Sequence, residues 1–163
     1  MRHDLAGRGR GNIDHLAVGP TGVYLIDSKN LSGLAKVERG LLTVELDSLG
    51  DRYSFHRLAR WLLESAKDVE ERISADLKWR PHVRPVVAIW GSFPQSEVQA
   101  DGIAYVAAEK LVGWLAGRKL RLCEADRVAI ASVIANLPLA EAGVGSDRRA
   151  ARAASSQGRT DLA

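Results

Sequence analysis

The stretch from Asn12 to Gly33, NIDHLAVGPTGVYLIDSKNLSG, limits what this chain can fold into more than any other segment. Two runs rich in β-branched and aromatic residues, Ile13 to Val18 and Val23 to Asn30, flank Gly19-Pro20-Thr21-Gly22. Pro presets φ at the second position of a turn and Gly accepts positive φ, so the runs predict an antiparallel hairpin. Each run carries an acid where a sheet normally buries Val or Ile: Asp14 in the first and Asp27 in the second. Strand side chains alternate, so Lys29 leaves the same face as Asp27. Charged groups gathered on adjacent strands are costly unless a metal or ligand uses them.

The turn decides how the acids meet. A two-residue loop sets Val18 opposite Val23, Leu16 opposite Leu25 and Asp14 opposite Asp27, with carboxylate-bearing Cβ atoms about 4.5–5.5 Å apart, a spacing suited to a shared cation. A three-residue loop with Gly22 as a bulge sets Asp14 opposite Ser28 and reverses the faces. Val23/Leu25 and Tyr24/Ile26 are equally fit for burial, so the apolar pattern leaves both registers open.

Beyond the hairpin, Gly33 to Glu38 and Leu41 to Leu46 predict two further short strands around Arg39-Gly40, and the polar Ser48 to Tyr53 predicts a loop. From Phe55 to Leu77, the residues Leu58, Leu62, Ala66, Val69, Ile73 and Leu77 recur at helical steps. Lys67, Asp68, Glu70, Glu71 and Arg72 then read as a solvated helix face. Pro81 and Pro85 mark a break before Val86 to Trp90, an apolar run suited to a strand buried on both sides and reached by a crossover. Ile103 to Val106 predicts another strand. Ala108 to Leu115 predicts a short helix with Trp114 in the core, and Glu124 to Leu137 a helix with Val128, Ala131, Ile134 and Leu137 inward.

At 163 residues and 46% hydrophobic content, the chain suits one domain with a substantial core. We expect that domain over 1–139. From 140 to 163 the composition shifts to Ala, Arg, Gly and Ser, which predicts a disordered tail. The single cysteine, Cys123, excludes an intrachain disulfide and a cysteine-based zinc cluster and fits a reducing compartment. With no signal-peptide core and no apolar run of about 18 residues, the expectation is a cytoplasmic protein without a membrane partner. A net charge of +3 permits nucleic-acid binding without demanding it. Gly7-Arg8-Gly9-Arg10-Gly11 precedes a strand, the wrong place for a dinucleotide loop, and reads as a basic turn whose Arg8 and Arg10 could touch a phosphate backbone.

Asp14 followed by Asp27-Ser28-Lys29 resembles the D…(D/E)-x-K signature of restriction-endonuclease-like nucleases. The longer block, with I-D-H, V-G-P-x-G-V and I-D-x-K-N in order, resembles the nuclease-related domain, or NERD, family. That resemblance implies an α/β restriction-endonuclease-like core, a mixed β-sheet flanked by helices. Only eleven residues precede Asn12, so the expectation here is a core lacking the first helix of that superfamily. It also implies metal-dependent hydrolysis of DNA phosphodiester bonds. Asp14, Asp27 and the Ser28 main-chain carbonyl would hold Mg²⁺ or Mn²⁺, Lys29 would act on the attacking water, and Asn30 would join Arg8 and Arg10 in contacting nucleic acid. The alternative is a non-catalytic nucleic-acid-binding or protein-interaction module that retains the fold.

Overall fold

A computed structural model describes residues 1–6, 12–46 and 50–137. Arg8, Arg10 and the 140–163 tail lie outside these described residues.

The described strands form one mixed sheet in the order β1 (Arg2–Ala6), β2 (Asn12–Gly19), β3 (Gly22–Glu38), β6 (Val83–Ser92), β8 (Ile103–Ala107), β7 (Glu97–Ala100). Two more strands, β4 (Leu41–Glu45) and β5 (Arg52–Ser54), extend from the far half of β3. The β1–β2–β3 pairings are antiparallel, whereas β3–β6 and β6–β8 are parallel. The predicted crossover is present: α1 (Leu58–Asp76) returns the chain from the meander to β6, beside β3. The molecule is thus α/β, with a mixed sheet flanked by helices, consistent with a restriction-endonuclease-like core.

The hairpin register is the two-residue one. Gly19 pairs with Gly22, Val18 with Val23, Leu16 with Leu25 and His15 with Ile26. The turn is tied down from outside: the Arg121 and Leu122 amides donate to the Pro20 carbonyl at 2.8 and 3.0 Å, and the Tyr24 hydroxyl donates to the Thr21 carbonyl at 3.1 Å. With both ends of the loop held, a slip of one residue would break these bonds as well as reverse the faces.

Each sheet face has its own apolar cluster. The larger joins Leu16, Val23, Leu25, Val83 and Val87 to the buried stripe of α1, Leu58, Leu62, Ala66, Val69 and Ile73, and to Ile130 and Ile134 of α3 (Glu124–Ala135). The smaller joins Tyr24, Ile26, Val86, Ala88, Ala104 and Val106, with Leu111, Trp114 and Leu115 of α2 (Leu111–Ala116) packed against it. Among the described residues, no helix is long and apolar enough to cross a membrane.

Several expectations need correction. The two strands divided at Asn30 are one: β3 runs 17 residues, with a register irregularity between Asn30 and Leu34 where it turns from β6 toward β4. Its bend depends on glycine, since a Cβ on Gly33, which has φ +122°, would lie 2.4 Å from the Glu45 carbonyl oxygen. Arg52 and Tyr53 of the expected loop, together with Ser54, form a short strand against β4. Residues 2–6, where no element was expected, form an edge strand against β2. In α3 the buried positions are Ile130 and Ile134, while Val128 and Ala131 face solvent. This helix is apolar on several sides, and its spacing did not determine the phase. Trp114 is partly buried rather than enclosed.

Glu70 also departs from the solvated-face reading. Its carboxylate accepts the Val83 amide at 2.9 Å and contacts His82 Nδ1 at 2.8 Å and Arg80 Nε at 3.1 Å. It therefore fastens the middle of α1 to the first residue of β6. Lys67 and Glu71 are exposed as expected, whereas Asp68 and Arg72 are half-buried and form an i,i+4 pair.

Candidate functional site

The site lies where the β2–β3 ladder ends. The paired register stops at His15–Ile26. One further step would set Asp14 against Asp27; instead the Ser28 amide donates to Asp14 Oδ2 at 2.8 Å. The Asp14 carboxylate takes over a strand hydrogen bond and is drawn toward the Asp27-Ser28-Lys29 segment. The backbone thus follows the two-residue register and not the three-residue one, but the ladder stops before Asp14, whose side chain bonds the Ser28 amide in place of a ladder pairing with Asp27.

Asp27 points to the side of the sheet covered by α1, with Val23 and Leu25, and is 4% exposed. Lys29 Nζ donates to Asp27 Oδ1 at 2.8 Å. It also stands 2.6 Å from Oδ2, but at an orientation that makes no hydrogen bond there, so this buried oxygen keeps unfilled acceptor capacity. Burial raises the Asp27 pKa above the ordinary carboxylate value; Lys29 opposes the rise, and the nearby Asp14 charge adds to it. Desolvation thus outweighs the ammonium. The protein holds a buried carboxylate paired with a single ammonium.

These features fit a hard divalent cation. Such a cation takes oxygen ligands and retains waters, so two carboxylates and a main-chain carbonyl are a sufficient donor set. Asp14 is brought beside the Asp27 segment, and Asp27 Oδ2 is a buried oxygen whose one close contact is the Lys29 ammonium, leaving a lone pair for a cation. Among the described residues no group of three or more His, Cys, Asp and Glu side chains is arranged to hold a metal, so the fit rests on the two acids and the backbone.

Of the other expected contacts, Asn30 is exposed at the distal end of this segment. Trp90, expected on a strand buried on both sides, is open to solvent at 54%, as is Trp79 at 39%. The sequence reading passed over two polar groups on the covering helix. Ser65 is fully buried, and among the described residues its Oγ and the Trp61 Nε1 have no hydrogen-bond partner. They stand four residues apart, on one stripe of α1. A Ser within an apolar helical stripe was the available signal.

No match was found among curated proteins or among solved structures. The sequence does match the nuclease-related domain family over residues 2–90, more than half of the chain and a span that takes in β1 through nearly all of β6. With the hairpin, its acids and the crossover strand all inside that span, the chain belongs to the nuclease-related domain family.

Proposed function

We propose that this protein is a Mg²⁺- or Mn²⁺-dependent nuclease hydrolysing phosphodiester bonds of DNA, with Asp14, Asp27 and Lys29 as its catalytic residues. The supporting observation is the convergence of Asp14 on the Asp27-Ser28-Lys29 segment, where the Ser28 amide bonds Asp14 and Lys29 holds the buried Asp27 carboxylate. Asp14, Asp27 and the Ser28 carbonyl would hold the cation. When bound, it supplies charge stabilisation for the scissile phosphate and a more acidic water. Lys29, already held against Asp27, orients that water and offsets developing charge. Burial beneath α1 strengthens each of these electrostatic interactions. Arg8, Arg10 and Asn30 are suited to contacts along the nucleic-acid backbone, and the free Cys123 suits a reducing cytoplasm.

One observation favours a second reading. Lys29 and Asp27 already neutralise one another in part, an arrangement that a non-catalytic nucleic-acid-binding module could also keep. Nicking of supercoiled DNA separates the two. The enzyme shows cleavage that requires Mg²⁺ or Mn²⁺ and falls by about two orders of magnitude or more in Asp27→Ala and Lys29→Ala, because the metal and ammonium each supply several kcal/mol to the transition state. Equal cutting by wild type and both variants would rule out this site. Calorimetric metal titration of wild type and Asp14→Ala tests the ligand set without a choice of substrate. Salt-sensitive DNA binding with no cleavage in either metal would establish the module.

A further inference from the structure

His3 and His15 are directly opposed in the β1–β2 ladder, and their Nδ1 atoms stand 2.6 Å apart with the rings edge to face at 4.8 Å. The contact is an N–H···N hydrogen bond when one ring carries its proton on Nδ1, and a two-nitrogen donor set for a cation when both rings turn their Nδ1 lone pairs inward. The pair is on the opposite side of the sheet from Asp27: His15 stands across from Ile26, which packs in the smaller cluster, whereas Asp27 shares its face with Leu25. His3 is exposed and His15 half-buried, so solvent reaches the pair. The backbone beneath them is fixed by the ladder and by Arg2, whose guanidinium donates to the Ala135 carbonyl and, at 3.0 Å, to the Leu137 carbonyl at the end of α3.

The geometry points to a second metal site, distinct from the acidic one, in which His3 Nδ1 and His15 Nδ1 chelate a zinc-class divalent cation. Imidazole nitrogen selects first-row transition ions such as Zn²⁺ and Co²⁺ over Mg²⁺, which prefers oxygen. Two zinc–nitrogen bonds of about 2.0–2.1 Å at a tetrahedral angle require nitrogens roughly 3.3 Å apart, so a modest opening of the rings admits the ion. Water completes the coordination. Because the ligands lie on paired strands, binding also clamps β1 to β2 and stabilises the fold.

Cobalt(II) titration of the full chain at constant pH, followed by visible absorption and by zinc displacement, tests the site. The expected result is a saturable cobalt equivalent that is displaced by zinc, retained in Asp27→Asn and weakened in the histidine variants, separate from any cobalt held by the acidic site. His3→Ala and His15→Ala should each weaken it by about tenfold or more, since losing a ligand costs at least as much as losing a ligand's supporting partner. His15→Ala is decisive, because metal held by residues around Met1 alone would survive it. A zinc-induced rise in Tm in the wild type, absent from His3→Gln and His15→Gln, gives an independent readout and shows that the variants fold. Absence of saturable cobalt binding in the wild type, or equal binding in both histidine variants, overturns the proposal.

Discussion

Strands β3 and β6 lie side by side in parallel, and their registers make the contrast between them direct. Val23 is beside Val83, Leu25 beside Pro85, Asp27 beside Val87 and Lys29 beside Ile89. Both strands are covered by α1, and Val87 and Ile89 are fully buried. At two equivalent levels β6 therefore carries what a covered sheet ordinarily carries, and β3 carries an acid and a base. The environment is nearly shared; the side chains differ. The charged pair is thus a local departure imposed on a sound apolar frame, and the raised pKa of Asp27 marks its energetic cost.

The sharpest way to break the comparison is to give β6 the residue that β3 tolerates. Val87→Asp places a carboxylate in a fully buried position with no ammonium two residues on, since position 89 is Ile. We expect a loss of about 3–5 kcal/mol, the scale of an uncompensated buried charge and a large fraction of a domain's stability, read as a large fall in the urea midpoint near neutral pH. A Val87→Asp protein of wild-type stability would show that β3 and β6 are not comparable environments. Lys29→Met asks how much the partner contributes. With the Lys29 side chain 26% exposed, solvent screens the pair, and the expected destabilisation is about 1–2 kcal/mol, read as a shift in urea midpoint.

The smallest effect is the most diagnostic. A carboxyl with a raised folded pKa holds its proton more tightly in the folded than in the unfolded state. Its contribution is therefore fully present below the ordinary carboxylate value, and it is lost as pH rises through the raised value. Thermal melts of wild type and Asp27→Asn in metal-free buffer should diverge over that window, with the variant gaining relative to the wild type as pH increases. Added Mg²⁺ should raise the Tm of the wild type and not of the variant. Parallel pH profiles for the two proteins would mean that Asp27 is not desolvated as described.

The same contrast explains what could be read from the sequence. The hairpin, α1 and β6 were legible because turn chemistry, helical period and continuous apolar character each pointed one way. Asp14, Asp27 and Lys29 were legible as exceptions to that pattern, and the family resemblance agrees with the match over residues 2–90. The β7–β8 hairpin was missed despite Asp101-Gly102, a strong two-residue turn signal; both residues have positive φ, as a type I′ turn requires. The register of Asp14 was beyond sequence because it depends on distant anchors, the Arg121 and Leu122 amides at Pro20. Glu70 was invisible for a related reason: its partners at 80, 82 and 83 become neighbours only after the chain turns back.

The length of β3 has a further consequence. Its first half is flanked on both sides by β2 and β6, and its second half pairs with β4, so one strand ties together the hairpin, the crossover and the meander. Amide hydrogens from Tyr24 to Ile26 should then be among the slowest to exchange with solvent, released only when the whole domain opens. Asp27 and Lys29 follow directly on that protected segment. Little entropy remains to be lost at these side chains' anchoring points when a ligand arrives, because folding has already removed it.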